Sequence, residues 1–194
     1  PGTPSVALMF SQRCLGLWST GNRESRGLHS FKGPAVAARI DFRELHALAC
    51  SDQDHLLLDR IDADRERLLT GETIAPATTY DWLSLDLSRL PGIGELGLPE
   101  APRLTLALRR ELAPATVDTF LEIFRDHGHL QLPEFRGVKQ GRLFDLGANE
   151  GYYTLCQKLI NPELSVVAVE PVSENRSLLE ANLTANGIGG VEVV

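Results

Sequence analysis

The residues best suited to chemistry lie between Asp145 and Glu170. Asp145-Leu146-Gly147-Ala148-Asn149-Glu150-Gly151 sets a carboxylate two residues ahead of a glycine turn, and Glu170 follows 23 residues after Gly147. Gly147 has no Cβ, so the turn can be tight and a ligand can approach its backbone. Asn149 tolerates a left-handed conformation better than most residues. Gly151 opens the next helix and lets it pack against the preceding strand. The unpaired N–H groups at that helix start face a ligand. A carboxylate at Glu170 can accept hydrogen bonds from both hydroxyls of a ribose.

The flanking residues supply the elements that must position this set. Leu143, Phe144 and Leu146 make a short strand containing Asp145. Tyr152, Leu155, Cys156, Leu159 and Ile160 fall at i, i+3, i+4, i+7 and i+8, the apolar face of a helix that Asn161-Pro162 stops. Val166 to Val169 is a continuous apolar run, as in a strand buried on both faces of a parallel sheet. Glu170 ends that strand. Ser173 is expected to cap the following helix, with Glu174 in its first turn, Leu179 and Leu183 on one face and Asn186-Gly187 as its stop. Val191 to Val194 begins a third strand. With right-handed crossovers, this β-α-β-α-β order is half of a doubly wound α/β sheet.

The spacing discriminates among adenosine ligands. A nicotinamide fingerprint starting at Gly147 needs its third glycine at position 152, which is Tyr152; the glycine stands one residue earlier. Asp145 would also add negative charge beside a pyrophosphate. Two acids instead match a ligand with an α-ammonium group, a sulfonium and a ribose, which is S-adenosylmethionine.

Asp145 to Thr154 (D-L-G-A-N-E-G-Y-Y-T), Val166 to Pro171 (V-V-A-V-E-P) and Leu178 to Gly187 (L-L-E-A-N-L-T-A-N-G) resemble the FkbM-type S-adenosylmethionine-dependent methyltransferases. The resemblance covers about residues 141–194, with a weaker echo in the aromatic helix 116–127. It implies a Rossmann-like class I methyltransferase fold that methylates a hydroxyl oxygen. Asp145, Gly147, Asn149, Gly151 and Tyr152 are then expected around the cofactor, with Asp145, Gly147 and Gly151 on its methionine side and Glu170 on its ribose. The fold it resembles has seven strands. Only its first three fall before Val194, so the expectation is a truncated enzyme, with much of the adenine pocket, the substrate wall and any general base beyond that residue.

The rest of the chain reads as a leader and a mainly helical region. Residues 1–40 carry a net charge of +4 within a 194-residue chain of net charge −7. They are rich in Ser and Gly without periodicity, which predicts a flexible leader; from Met9 they loosely resemble a transit peptide. Residues 41–135 form the second region. A helix is expected over 41–70 from Leu45, Leu48, Ala49, Leu57, Ile61, Leu68 and Leu69, with a solvated face that includes Asp62, Asp64 and Arg67 and a stop at Gly71. Leu83, Leu85 and Leu87 alternate, as do Leu104, Leu106 and Leu108, which predicts two short strands, paired with each other. Val117, Phe120, Leu121 and Phe124 mark a helix after Pro114 ending near Gly128. Residues 136–194 form the partial cofactor-binding domain.

Composition narrows the class. Apolar residues make up 43 % and charged residues 23 %, a globular balance. The acidic net charge argues against a nucleic-acid partner, and no apolar run reaches the ~18–20 residues of a membrane span. Cys14, Cys50 and Cys156 are widely separated and odd in number, which disfavours a disulfide scaffold or zinc site and suits a cytoplasmic protein. Cys156 is expected to serve packing. Trp82 begins a strand and reads as structural. Asp126-His127-Gly128-His129 reads as exposed polar residues rather than a metal or base site. One alternative function is a non-catalytic module binding an adenosine ligand; a more remote one is an NAD- or FAD-linked oxidoreductase.

Overall fold

The computed structural model describes residues 41–98, 102–126 and 141–194, and the backbone of 6–10. In chain order the elements are β1 (Val6–Phe10), α1 (Phe42–Leu48), α2 (Asp52–Leu69), β2 (Asp81–Asp86), β3 (Arg103–Leu108), α3 (Ala113–Phe124), β4 (Arg142–Leu146), α4 (Tyr152–Ile160), β5 (Ser165–Val169), α5 (Ser173–Ala185) and β6 (Val191–Val193). Among the described residues the fold is mixed α/β with two sheets.

The larger sheet has the order β1-β4-β5-β6, and all its pairings are parallel. Arg142 to Leu146 register with Ser165 to Val169, so both strands end at the same level. That register brings the Gly147 turn and Glu170 side by side. The sheet steps one way from β4 to β6, and right-handed crossovers therefore put α4 and α5 on the same face. The two interior strands are apolar as expected: Leu143, Val166 and Ala168 are at most 1 % exposed.

The smaller sheet is the antiparallel pair β2-β3, with Leu83 opposite Leu106 and Leu85 opposite Leu104. The alternating leucines enter a core shared with α1, α2, α3, α4 and α5. Leu83, Leu85, Leu104, Leu106 and Leu108 are fully buried, as are Phe120 and Phe124, whose rings stack at 5.0 Å. Cys156 is also buried, and the apolar surroundings push its thiol up to about 12.

Three expectations change. Val6–Phe10 is no flexible leader: it is a parallel edge strand, Val6 opposite Arg142 through Phe10 opposite Leu146. Val-Ala-Leu-Met-Phe is a short apolar run without helical period, and it supplies backbone partners to a β4 edge that would otherwise be bare. The rest of 1–40, and the 127–129 histidine segment, lie outside the described residues. Second, the helix expected over 41–70 breaks at Ala49. Ser51 caps α2 by accepting the Asp54 N–H at 3.2 Å, while Asp54 accepts the Ser51 hydroxyl at 2.6 Å and the Ser84 N–H at 2.7 Å. This Ser-x-x-Asp exchange fixes the turn and docks it on β2. Third, the buried face of α2 is Asp54, Leu58, Ile61 and Asp64, whereas Leu68 and Leu69 are exposed. Asp64 enters the interior because Arg67 (3.1 Å) and Arg110 (3.0 Å) both pair with it.

Among the described residues no helix is long and apolar enough to cross a membrane. The shared core has a direct test. Phe120→Ala should lower unfolding free energy by about 3–5 kcal/mol in a denaturant titration, the usual cost of emptying a buried phenylalanine site.

Candidate functional site

The site is built at the carboxyl ends of β4 and β5. β4 carries Asp145 outward to a turn that begins at Gly147 (φ 77°), passes through Asn149 (φ 51°) and ends at Gly151 (φ 86°). Asn149 is the one non-glycine residue with positive φ among the described residues, in keeping with its side-chain type. The N–H groups of Gly147 and Ala148 both donate to the Val169 carbonyl, at 2.9 and 3.0 Å. The turn is thereby stitched to the end of β5.

Glu170 completes the stitching. Its Oε2 accepts the Asn149 N–H at 2.8 Å and its Oε1 accepts the Val172 N–H at 2.9 Å. One carboxylate therefore holds the turn after β4 and the entry to α5 together. Each oxygen keeps a second lone-pair direction beyond these bonds. Ser173 does not cap α5: Val172 holds the cap position, and the Ser173 hydroxyl donates to Glu174 at 2.8 Å. Glu170 instead holds the N–H of that cap residue, Val172, and so fixes the entry to α5.

Asp145 is 1 % exposed, and its Oδ2 accepts the Thr154 hydroxyl at 2.6 Å. Burial is the main cause that raises its carboxyl to about 6; the Thr154 bond opposes the rise and the Glu170 charge adds to it. The buried Asp145 carboxylate thus feels the Glu170 charge, and a cation placed beside it would favour its ionised form. Gly147 and Asn149 are half-buried and form the accessible rim.

Gly151 is required for a different contact from the expected one. A Cβ there would lie 2.9 Å from Leu179 Cγ, so it is α5, not the strand, that approaches the start of α4. No side chain caps α4, which leaves its first N–H groups without that form of protection. Tyr152, expected near the cofactor, turns into the core instead. It is 2 % exposed, its hydroxyl lacks a hydrogen bond of normal geometry, and burial beside Glu150 raises its phenol far above the ordinary value. Tyr153 is buried as well, and its hydroxyl accepts from Gln157 at 3.1 Å.

The structure thus gathers Asp145, Gly147, Asn149, Gly151 and Glu170 and sets Tyr152 apart. It adds Thr154 as the partner of Asp145, and Glu150, buried beneath the turn with its carboxylate accepting the Thr116 hydroxyl at 2.8 Å. Burial raises the Glu150 carboxyl, with Thr116 opposing. Thr154 was findable: it stands in the first turn of a helix that begins beside the strand end carrying Asp145. Thr116 was not, because its approach depends on how α3 packs.

Among the described residues no group of three or more His, Cys, Asp or Glu is placed to hold a metal. An open hollow of about 300 Å³ lies elsewhere, between α2 and β2, lined by Gln53, Leu56, Leu57, Arg60, Asp81 and Trp82. Trp82 is 49 % exposed there, so only part of its ring serves the fold.

The Asp145 environment gives a pH prediction. Its carboxyl is raised from 3.8 to about 6, so between those values the folded chain holds a proton that the unfolded chain has lost. Stability from this group is present below about pH 4 and lost as pH rises through about 6, to a total of about 3 kcal/mol. Asp145→Asn should therefore match the parent at pH 4 and be more stable at pH 8, measured by urea unfolding at both pH values.

No family model matches the chain, and no curated protein matches it.

Proposed function

We propose that the chain is an S-adenosylmethionine-dependent methyltransferase, with the cofactor lying over the Gly147–Gly151 turn and the methyl group passing to a hydroxyl oxygen of a small acceptor. The observation that supports this most is the Glu170 carboxylate, fixed by two backbone N–H groups at the end of β5 and set beside a left-handed glycine turn. Its remaining lone pairs suit the two hydroxyls of a ribose, and a carboxylate already held in place loses little entropy on binding them.

Charge supports the same ligand. Asp145 and Glu170 sit together in a buried, acid-rich site. A pyrophosphate would add negative charge to it, whereas the ammonium and sulfonium of S-adenosylmethionine would neutralise it. In the transfer itself the acceptor oxygen attacks the methyl carbon, the carbon–sulfur bond breaks with its electron pair left on sulfur, and the hydroxyl proton departs to a base. Holding acceptor and methyl group in line supplies much of the rate in such a displacement.

Isothermal calorimetry with S-adenosylhomocysteine, with NAD as the comparison ligand, tests this assignment. The expected result is saturable binding of the first and none of the second; the reverse would overturn it. Glu170→Gln should weaken binding by about 1–3 kcal/mol, the range for losing a charge-assisted hydrogen bond. A cation also favours ionised Asp145, whose carboxyl sits at about 6. Affinity for S-adenosylmethionine should therefore rise about tenfold from pH 5 to pH 7, and the gain should vanish in Asp145→Asn.

A further inference from the structure

The asparagines of α5 do more than face a helix surface. Thr105 and Ala107 stand two residues apart on β3, so their N–H groups lie on one edge of that strand. The Thr105 N–H donates to Asn186 Oδ1 at 2.9 Å, and Asn186 Nδ2 returns a bond to the Thr105 carbonyl at 2.7 Å. The Ala107 N–H donates to Asn182 Oδ1 at 2.7 Å. Side-chain amides one helical turn apart thus take the place of a neighbouring strand along β3.

Asn182 has a second partner. Its Nδ2 donates to the Glu150 carbonyl at 2.8 Å, and the residue is fully buried. Glu150 is the residue between Asn149 and Gly151, two of the three left-handed positions of the turn. One amide therefore joins the backbone of the β2-β3 hairpin to the backbone of the 147–151 turn. Asn186 makes no such second reach; its other bond goes to the Asn182 carbonyl, at 2.7 Å.

We propose that Asn182 is a positioning residue that locks the 147–151 turn to strand β3, so that the hairpin and the candidate cofactor site hold their geometry together. The consequence for ligand affinity rests on the methyltransferase reading; the lock itself does not. A buried amide with both ends bonded resists local opening, because each broken end leaves an unsatisfied polar group. The turn should accordingly open only when the hairpin also gives way.

Asn182→Asp separates the two arms. It keeps an oxygen for the Ala107 N–H and removes the donor to the Glu150 carbonyl. Asn186→Asp makes the same change at a residue that does not touch the turn. Hydrogen exchange by mass spectrometry on the unliganded protein should show amides 147–151 exchanging about tenfold faster in Asn182→Asp, the loss of one buried hydrogen bond. Asn186→Asp should leave them within about twofold of the parent. Affinity for S-adenosylhomocysteine should fall by a similar factor in the first variant only. Equal exchange of the turn in both variants would overturn the lock. If the parent does not bind S-adenosylhomocysteine, the functional reading fails while the exchange result still decides the lock. If Asn182→Asp does not fold, Asn182→Ser removes both arms without a charge beside Glu150, and the same two outcomes apply.

Discussion

A single carboxylate carries the geometry of the site. Glu170 accepts one N–H from the turn after β4 and one from the entry to α5, at 2.8 and 2.9 Å. Without that acceptor both donors would be left unpaired, each at a cost of about 1–3 kcal/mol where buried. The Val169 carbonyl adds two further bonds to the same turn. The β4-β5 register makes all four bonds reachable at once, because it ends the two strands level. Gly151 then admits α5 to close contact through Leu179; a Cβ there would lie 2.9 Å from Leu179 Cγ, so the packing would have to shift.

The electrostatic character of the site follows from the same arrangement. Asp145 and Glu170 are each 1 % exposed, so water screens neither well. Asp145 responds by holding its proton up to about pH 6. A group strained in this way is stabilised by any cation placed near it, and the strain becomes binding energy for a ligand with the right charge. This links the strand register, through two carboxylates, to the class of ligand proposed.

Much of the parallel-sheet half was legible in the sequence, since its signals are local. The apolar run Val166–Val169, the helical spacing from Tyr152 to Ile160 and the positive-φ residue types at 147, 149 and 151 each state one element without reference to the rest. What was not legible depends on partners distant in sequence. Val6–Phe10 becomes a strand only because β4 offers an edge 136 residues away. Asp64 is buried because Arg67 and Arg110 both pair with it, and Arg110 stands 46 residues away; Tyr152 turns inward into a core shared with α3 and α5. Gly151 was read correctly as a close-approach residue, but the approaching element was α5. Asn182 and Asn186 stood in a quoted motif, yet nothing local shows that they cap an edge strand 75 to 81 residues earlier.

The central claim is that the turn and Glu170 together hold an adenosine ligand. Two-dimensional ¹⁵N NMR of the full chain, titrated with S-adenosylhomocysteine, tests it most directly. The account predicts saturable shifts concentrated at the amides of Gly147, Asn149, Gly151 and Val172. Saturable shifts confined to other residues, or no shifts at all at millimolar ligand, would contradict it.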